Sequence, residues 1–400
     1  MDKLVISRIK NRLLAFSFKD DECNKIFACD NELEIGDVYV GYVQNIVDSI
    51  KASFIDIGLA ENAYLALKDA KEPIYLNPKN NDKLNQGDII LVQVLKSAIK
   101  SKPASLTSEI SLEGNYLVAN LSMKGVLLSK KLKKSQDIGQ KKDDLEKLLG
   151  QELSGFKGGF ILRTNSEFAT RQEILDEALS LAKRLKELQE GAMSHRKKGL
   201  ALKAKASYIK EIESRGRMQA LSLITDIPKV YKEIEEANIV RDKLDLRYYE
   251  KNGIELKSIY SLEKILEEGF SKRVWLKCGA YLVIEKTEAM TVIDVNSGKC
   301  VIQKKSPDAK EKAIYKINLE AAREIARQLK LRNLSGMIMV DFINFENKEN
   351  LIELMTQLRS YVKDDYVKTE VIDATALNIV EITRQRKDRS LDEIIKQEER

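Results

Sequence analysis

The sequence predicts a multidomain α/β protein, and three observations carry that expectation. At 400 residues the chain is long for one hydrophobic core and suits two to four domains. Residues 36–112 hold short β-branched strands broken by glycine, the pattern of a small barrel. From Trp275 onward, short strands alternate with apolar stripes at helical spacing, the pattern of a compact α/β domain.

In chain order, residues 13–18 and 25–28 read as short strands separated by a polar turn. In the barrel block, residues 38–43 and 52–58 alternate apolar and polar positions, and residues 88–94 form a third strand. Further strands are expected over 115–163, interrupted at 129–134 and by a charged helix near 141–149. Residues 166–188 form a helix, because Ile174, Leu175, Ala178, Leu179, Leu181, Ala182 and Leu185 share one face. The lysine-rich stretch to Ile212 is expected as helix or mobile chain, and 216–270 as short helices with a strand near 254–259. Then come a hairpin around Gly279, a strand at 290–295, and a helix capped by Asn318 with Ala322, Ile325, Ala326 and Leu329 inward. A strand at 337–345, a helix at 351–362, a strand at 367–374 and a helix at 377–386 complete the series.

Composition narrows the chemistry. Hydrophobic content of 43% and charged content of 32% suit an ordinary water-soluble chain. The net charge of +6 is compatible with a polyanionic partner where the positive charge is clustered. Two basic runs, at 130–134 and 196–198, could hold a nucleic-acid backbone, although such runs also serve as solvated faces. No apolar run approaches membrane-spanning length and the N-terminus has no signal-peptide core, so a cytoplasmic protein without a membrane span is expected. Cys23, Cys29, Cys278 and Cys300 are scattered, which argues against a disulfide scaffold and a cysteine zinc site; Cys278 and Cys300 read as small buried residues. A single histidine, His195, rules out paired-histidine acid–base catalysis within the chain. Any enzyme here must use carboxylates, lysines or a hard metal.

Two carboxylates answer that requirement. Asp294 lies in Thr291-Val292-Ile293-Asp294-Val295-Asn296, an apolar strand running into a glycine turn, and Asn296 shares its face. Asp341 lies alone in a second apolar strand, Met339-Val340-Asp341-Phe342-Ile343. A carboxylate buried among Val, Ile, Met and Phe is costly without a positive charge against it. Were the strands neighbours, the two carboxylates would need a cation between them, and magnesium prefers such oxygen ligands. The alternative is that both aspartates cap turns at strand ends.

The motif Ile293-Asp294-Val295-Asn296-Ser297-Gly298, the long run Asn318-Leu319-Glu320-Ala321-Ala322-Arg323-Glu324-Ile325-Ala326-Arg327-Gln328-Leu329, and Val340-Asp341-Phe342-Ile343 together closely resemble the ribonuclease E/G family. Val380-Glu381-Ile382-Thr383-Arg384-Gln385-Arg386 is similar to that family's closing helix, and the resemblance covers nearly the whole chain. It implies an RNase H-like domain from residues 1–35 and 214–275, with two insertions: an S1-like OB barrel at 36–116 and a 5′-sensor region at 117–213. A DNase I-like catalytic domain over 276–400 would follow. The implied activity is magnesium-dependent hydrolysis of single-stranded, A/U-rich RNA to 5′-phosphate and 3′-hydroxyl ends, in ribosomal RNA processing or messenger RNA decay. Asp294 and Asp341 match the family's metal ligands, and Asn296 matches the asparagine that orients the site.

The same resemblance assigns RNA contacts. Phe54 and Tyr64 match positions that stack against a base, with tyrosine replacing phenylalanine at the second; Lys102 matches an RNA-contacting lysine. By alternation alone Phe54 reads as barrel core. Gly114, Val118, Arg163 and Thr164 match the pocket for a 5′-monophosphate, where a guanidinium fork can take two phosphate oxygens. Lys368 stands where the family has a further arginine; it keeps the charge but not the fork. Larger family members continue into a paired-cysteine segment that shares zinc between chains. With no cysteine after Cys300, no zinc is expected, and a monomer or weak homodimer is. Two rivals remain: a non-catalytic RNA-binding protein of ribosome assembly, which needs no aspartate pair, and a DNA nuclease on the same metal logic.

Overall fold

The computed structural model describes residues 2–78, 83–98, 102–130, 132, 135–215, 220–237, 239, 244–300 and 307–395. Lys131, Lys133 and Lys134 of the first basic run lie outside the described residues. The fold is mixed α/β and divides into two compact units, one of Met1–Asp30, Leu221–Tyr231 and Leu244–Arg400, the other of Asn31–Ala220 and Lys232–Lys243. Among the described residues no helix is long and apolar enough to cross a membrane.

The first unit has two sheets. In one, Leu244–Tyr248, Leu221–Thr225 and Asp2–Ile9 run parallel, and Arg12–Lys19 and Glu22–Ala28 continue it antiparallel. Leu221–Thr225 is buried along its whole length, as a strand flanked by parallel neighbours should be. Its apolar run lacks alternation, and the expected strand near 254–259 is instead a short helix, Leu256–Ile259. Only Leu256 of that segment enters the core, while Ile254 and Ile259 are exposed, so no period-two face exists to pair.

The other sheet has six strands in the order Arg273–Trp275, Tyr281–Lys286, Met290–Asn296, Gly336–Asp341, Ile379–Arg384 and Thr369–Ala374. One face packs Leu282, Ile293, Val295, Ile338, Val340, Val380 and Ile382 into a core with the helices Pro307–Leu331 and Lys348–Val362. Two expectations fail here. The expected helix over 377–386 is the strand Ile379–Arg384: Val380, Ile382 and Arg384 are buried in alternation, a period of two rather than 3.6. Asn318 is not a cap. The helix begins eleven residues earlier, and Asn318 is fully buried inside it.

The second unit contains a closed barrel of five strands, Val38–Val47, Ala52–Asp56, Ala63–Ala66, Ser105–Thr107 and Ile89–Lys96, with the last pairing back onto the first. Gly41 lets the first strand press on Ile55 inside the barrel; a Cβ there would collide with that side chain. Gly199–Leu202, within the stretch expected as helix or mobile chain, adds antiparallel to Val38–Val47. A four-stranded sheet of Gly125–Leu128, Gly159–Leu162, Leu117–Asn120 and Ser111–Glu113 shares a core with the helices Gln136–Gln151 and Arg171–His195. Thr170 and Glu173 form a reciprocal cap at the start of the second helix.

Candidate active site

Met290–Asn296 and Gly336–Asp341 are parallel neighbours, and Asp294 pairs in register with Asp341. Adjacent strands lie about 4.8 Å apart and cross-strand partners share a face. The two carboxylates therefore stand side by side at the C-terminal ends of their strands, on the face opposite the helices. Asn296 donates from Nδ2 to Asp294 Oδ2 at 2.5 Å. Of the two arguments that sequence supplies for a cation, burial and like-charge proximity, only the second survives. Asp341 is exposed and Asp294 half-buried, because the alternation that buries Val340, Phe342, Ile293 and Val295 turns the aspartates to solvent. Desolvation is not the driving cost; like-charge proximity is. Among the described residues neither carboxylate has an ion-pair partner. Two adjacent carboxylates with open surroundings are a donor set that fits magnesium, which keeps waters and takes one or two protein carboxylates.

Backbone geometry around the pair is fixed by Asn318, which sequence reasoning took for a helix cap, by the glycine turn at Gly298, and by Glu320. Buried Asn318 grips the chain just past Asp341, accepting from Ile343 N at 3.1 Å and donating to Ile343 O at 2.7 Å. Gly298 sits at φ +55°, where a Cβ would come within 2.5 Å of Gly279 O, so the turn after Asn296 closes on its neighbour only with glycine. Glu320 accepts from Lys277 N at 2.5 Å and holds that neighbouring turn. The cysteines beside it are not the small buried residues expected: Cys278 is exposed and Cys300 half-buried, its thiol directed to Cys278 O at 2.7 Å. Nothing in the local sequence marks Asn318, because its partner is backbone 25 residues away.

In the other unit, Phe54 and Tyr64 are cross-strand partners with ring centroids 6.2 Å apart at 75°. Phe54 is half-exposed while Ser53 and Ile55 on either side are fully buried, so it lies on the outside of the barrel and not in its core. Lys102 is exposed and precedes Ser105–Thr107, the strand that pairs with Ala63–Ala66. Gly114, Val118, Arg163 and Thr164 also converge. Arg163 donates from its guanidinium to Gly114 O and from its backbone N to Tyr116 O at 2.8 Å. Val118 lies between Glu113 and Ile161 in the sheet, and Thr164 is exposed. Glu177, on the helix Arg171–His195, accepts from Asn115, Tyr116 and Leu117 N at 2.5–2.8 Å and fills the space beside Gly114. Burial pushes this carboxyl upward despite those three donors. Lys368 belongs to the first unit, with Nζ 2.8 Å from Glu370.

The sequence matches the family model described as the ribonuclease E/G family over residues 111–387, most of the chain and both aspartates. The chain belongs to the ribonuclease E/G family. It is 28% identical over 407 residues to a ribonuclease E of Synechocystis sp., covering 99% of this chain and 59% of that protein. It is 29% identical to ribonuclease G of Escherichia coli and 30% to that of Haemophilus influenzae, in each case over 90% of this chain and 74% of the relative. The chain thus spans under two thirds of the Synechocystis relative and about three quarters of the other two. Ribonuclease E/G is a family of endoribonucleases, which gives the paired carboxylates a chemical context.

Proposed function

We propose that this chain cuts single-stranded RNA internally, by magnesium-dependent hydrolysis at Asp294 and Asp341, leaving 5′-phosphate and 3′-hydroxyl ends. The observation that carries the reading is the registered aspartate pair on the open sheet face of a ribonuclease E/G family member. A bound magnesium ion would supply charge stabilisation at the scissile phosphate and an activated water. The chain's own residues do the rest. Asp294 and Asp341 would hold the ion, Asn296 hydrogen-bonds Asp294, and Asn318 fixes the chain past Asp341. Phe54, Tyr64 and Lys102 would bind the strand through stacking and charge, and Gly114, Val118, Arg163 and Thr164 would read a 5′-monophosphate. In domain terms we propose an RNase H-like sheet, an S1-like barrel, a sensor layer and a DNase I-like catalytic sheet. The cellular substrates proposed are ribosomal RNA precursors or messenger RNA, cut in A/U-rich single strands.

The test is cleavage of a 5′-labelled single-stranded RNA with and without magnesium. Asp294→Asn and Asp341→Asn should each lower kcat by at least about 10²-fold, the usual cost of removing one preorganised electrostatic group, with RNA affinity retained. Near-wild-type rates in either variant at saturating magnesium would remove the aspartates from the mechanism. RNA binding without cleavage by the wild type would favour the ribosome-assembly reading.

A further inference from the structure

The solvent face that carries the aspartate pair also carries the chain's only tryptophan. Trp275 pairs with Tyr281, and Tyr281 pairs with Asn296, so the three stand in one rung across three strands. The adjacent rung runs Arg273, Val283, Asp294, Asp341. Partners in a rung point the same way, and so do residues two apart on a strand. All of these side chains are therefore on one face. Trp275 and Tyr281 have ring centroids 5.1 Å apart at 57°, and the Arg273 guanidinium carbon is 4.5 Å from the Tyr281 centroid and 5.9 Å from that of Trp275. Leu282, next to Tyr281 on the same strand, is fully buried on the opposite face, which keeps Tyr281 on the solvent side. Trp275 remains 55% exposed, and among the described residues Arg273 has no carboxylate partner. An exposed indole and an uncommitted guanidinium, two strands from a phosphate-cutting centre, are unspent binding capacity.

We propose that Trp275, Tyr281 and Arg273 form a nucleobase-stacking subsite that holds one unpaired base of a single-stranded RNA next to the Asp294–Asp341 pair. The proposal rests on the nuclease reading above. Aromatic faces take any base, because every base has a π-face, and arginine adds cation–π attraction and charge toward phosphate. The subsite thus positions the strand without reading its sequence. It selects against duplex, where bases are already stacked and paired. These are positioning residues: they do not touch the reacting bond.

Because Trp275 is the sole tryptophan, its emission reports on the subsite directly. The full chain is titrated, without added divalent cation, with a single-stranded RNA of about a dozen nucleotides, within the range such sites span. Binding is followed independently by the anisotropy of the end-labelled strand. Tryptophan emission should fall and saturate together with anisotropy, while an abasic strand of equal length binds without that loss. In steady-state cleavage, Trp275→Ala should raise KM about ten-fold, the low end of one lost base stack, leave kcat nearly unchanged, and be largely rescued by Trp275→Phe. RNA that binds by anisotropy without moving the emission overturns the subsite and leaves the nuclease reading standing, as does an unchanged KM in Trp275→Ala. Failure to bind or cut any single-stranded RNA overturns both.

Discussion

Asn318 and Arg384 are polar side chains inside a core, and each fixes backbone that the sheet carrying Asp294 and Asp341 depends on. Replacing Asn318 with leucine strands the Ile343 N–H and C=O groups. Urea denaturation should then show a loss of about 1–3 kcal/mol, the cost of unsatisfied buried groups, and kcat should fall through misplaced Asp341 with little change in KM. Arg384 is buried against Asp365, with Nε 2.7 Å from one carboxylate oxygen, and also donates to Asn333 and Leu334 O. Burial alone would raise Asp365, but the Arg384 hydrogen bonds and charge outweigh it and hold the carboxyl below its ordinary value. A depressed carboxyl contributes stability that is full above its unfolded value, about 3.9, and is lost as pH falls through the lower folded value. An acid titration of stability should therefore steepen below about pH 4, and Asp365→Ala should cost about 3–5 kcal/mol at neutral pH by leaving a buried guanidinium unpaired. At this scale the aspartates were legible as lone carboxylates in apolar strands. Their exposure was not, because apolar residues stand on both faces of these strands, Val292 and Met339 on the side of the aspartates, and hide the alternation.

Where strands and helices alternate, sequence located most segments and mistyped a few for one reason. Ile379–Arg384, expected as a helix and likened to a closing helix, is a strand because it pairs with Gly336–Asp341 on one side and Thr369–Ala374 on the other. Gly199–Leu202 was obscured by the lysines around it; its pairing is supplied by Val38–Val47, about 160 residues earlier. Strand identity here comes from partners, not propensity. The barrel is an intermediate case: strands near 38–43, 52–58 and 88–94 were readable locally, Ala63–Ala66 and Ser105–Thr107 were not, and closure comes from Val38–Val47 pairing with Ile89–Lys96. Its outer aromatic pair and Lys102 give a test at this scale. Tyr64→Ala should raise KM for single-stranded RNA roughly ten-fold, within the usual range for one stacked base. Lys102→Ala should flatten the dependence of log affinity on log salt by about one-half to one unit of slope, as one phosphate contact is lost. Parallel salt plots for wild type and the lysine variant would exclude a phosphate contact there.

Two compact units share one chain, and the second is an insertion: the first is left at residue 30 and rejoined at residue 221. Asp2–Ile9 pairs with Leu221–Thr225, and no local pattern announces pairing at such a distance. If the Arg163 cluster reads RNA ends, a 5′-monophosphate substrate should be cut faster than its triphosphate or hydroxyl counterpart. Arg163→Ala should erase the difference, because its guanidinium supplies the forked donor. Equal rates for all three ends in the wild type would dismiss the sensor. The insertion also sets a timetable for synthesis. Asp2 pairs with Leu221, so the opening strand must wait while the ribosome adds 219 residues. At about 5–20 residues per second that is roughly 10–40 s, during which the inserted unit can complete its own core. Until then one edge of Asp2–Ile9 has no partner, and this interval is when a nascent chain of this kind most needs a chaperone.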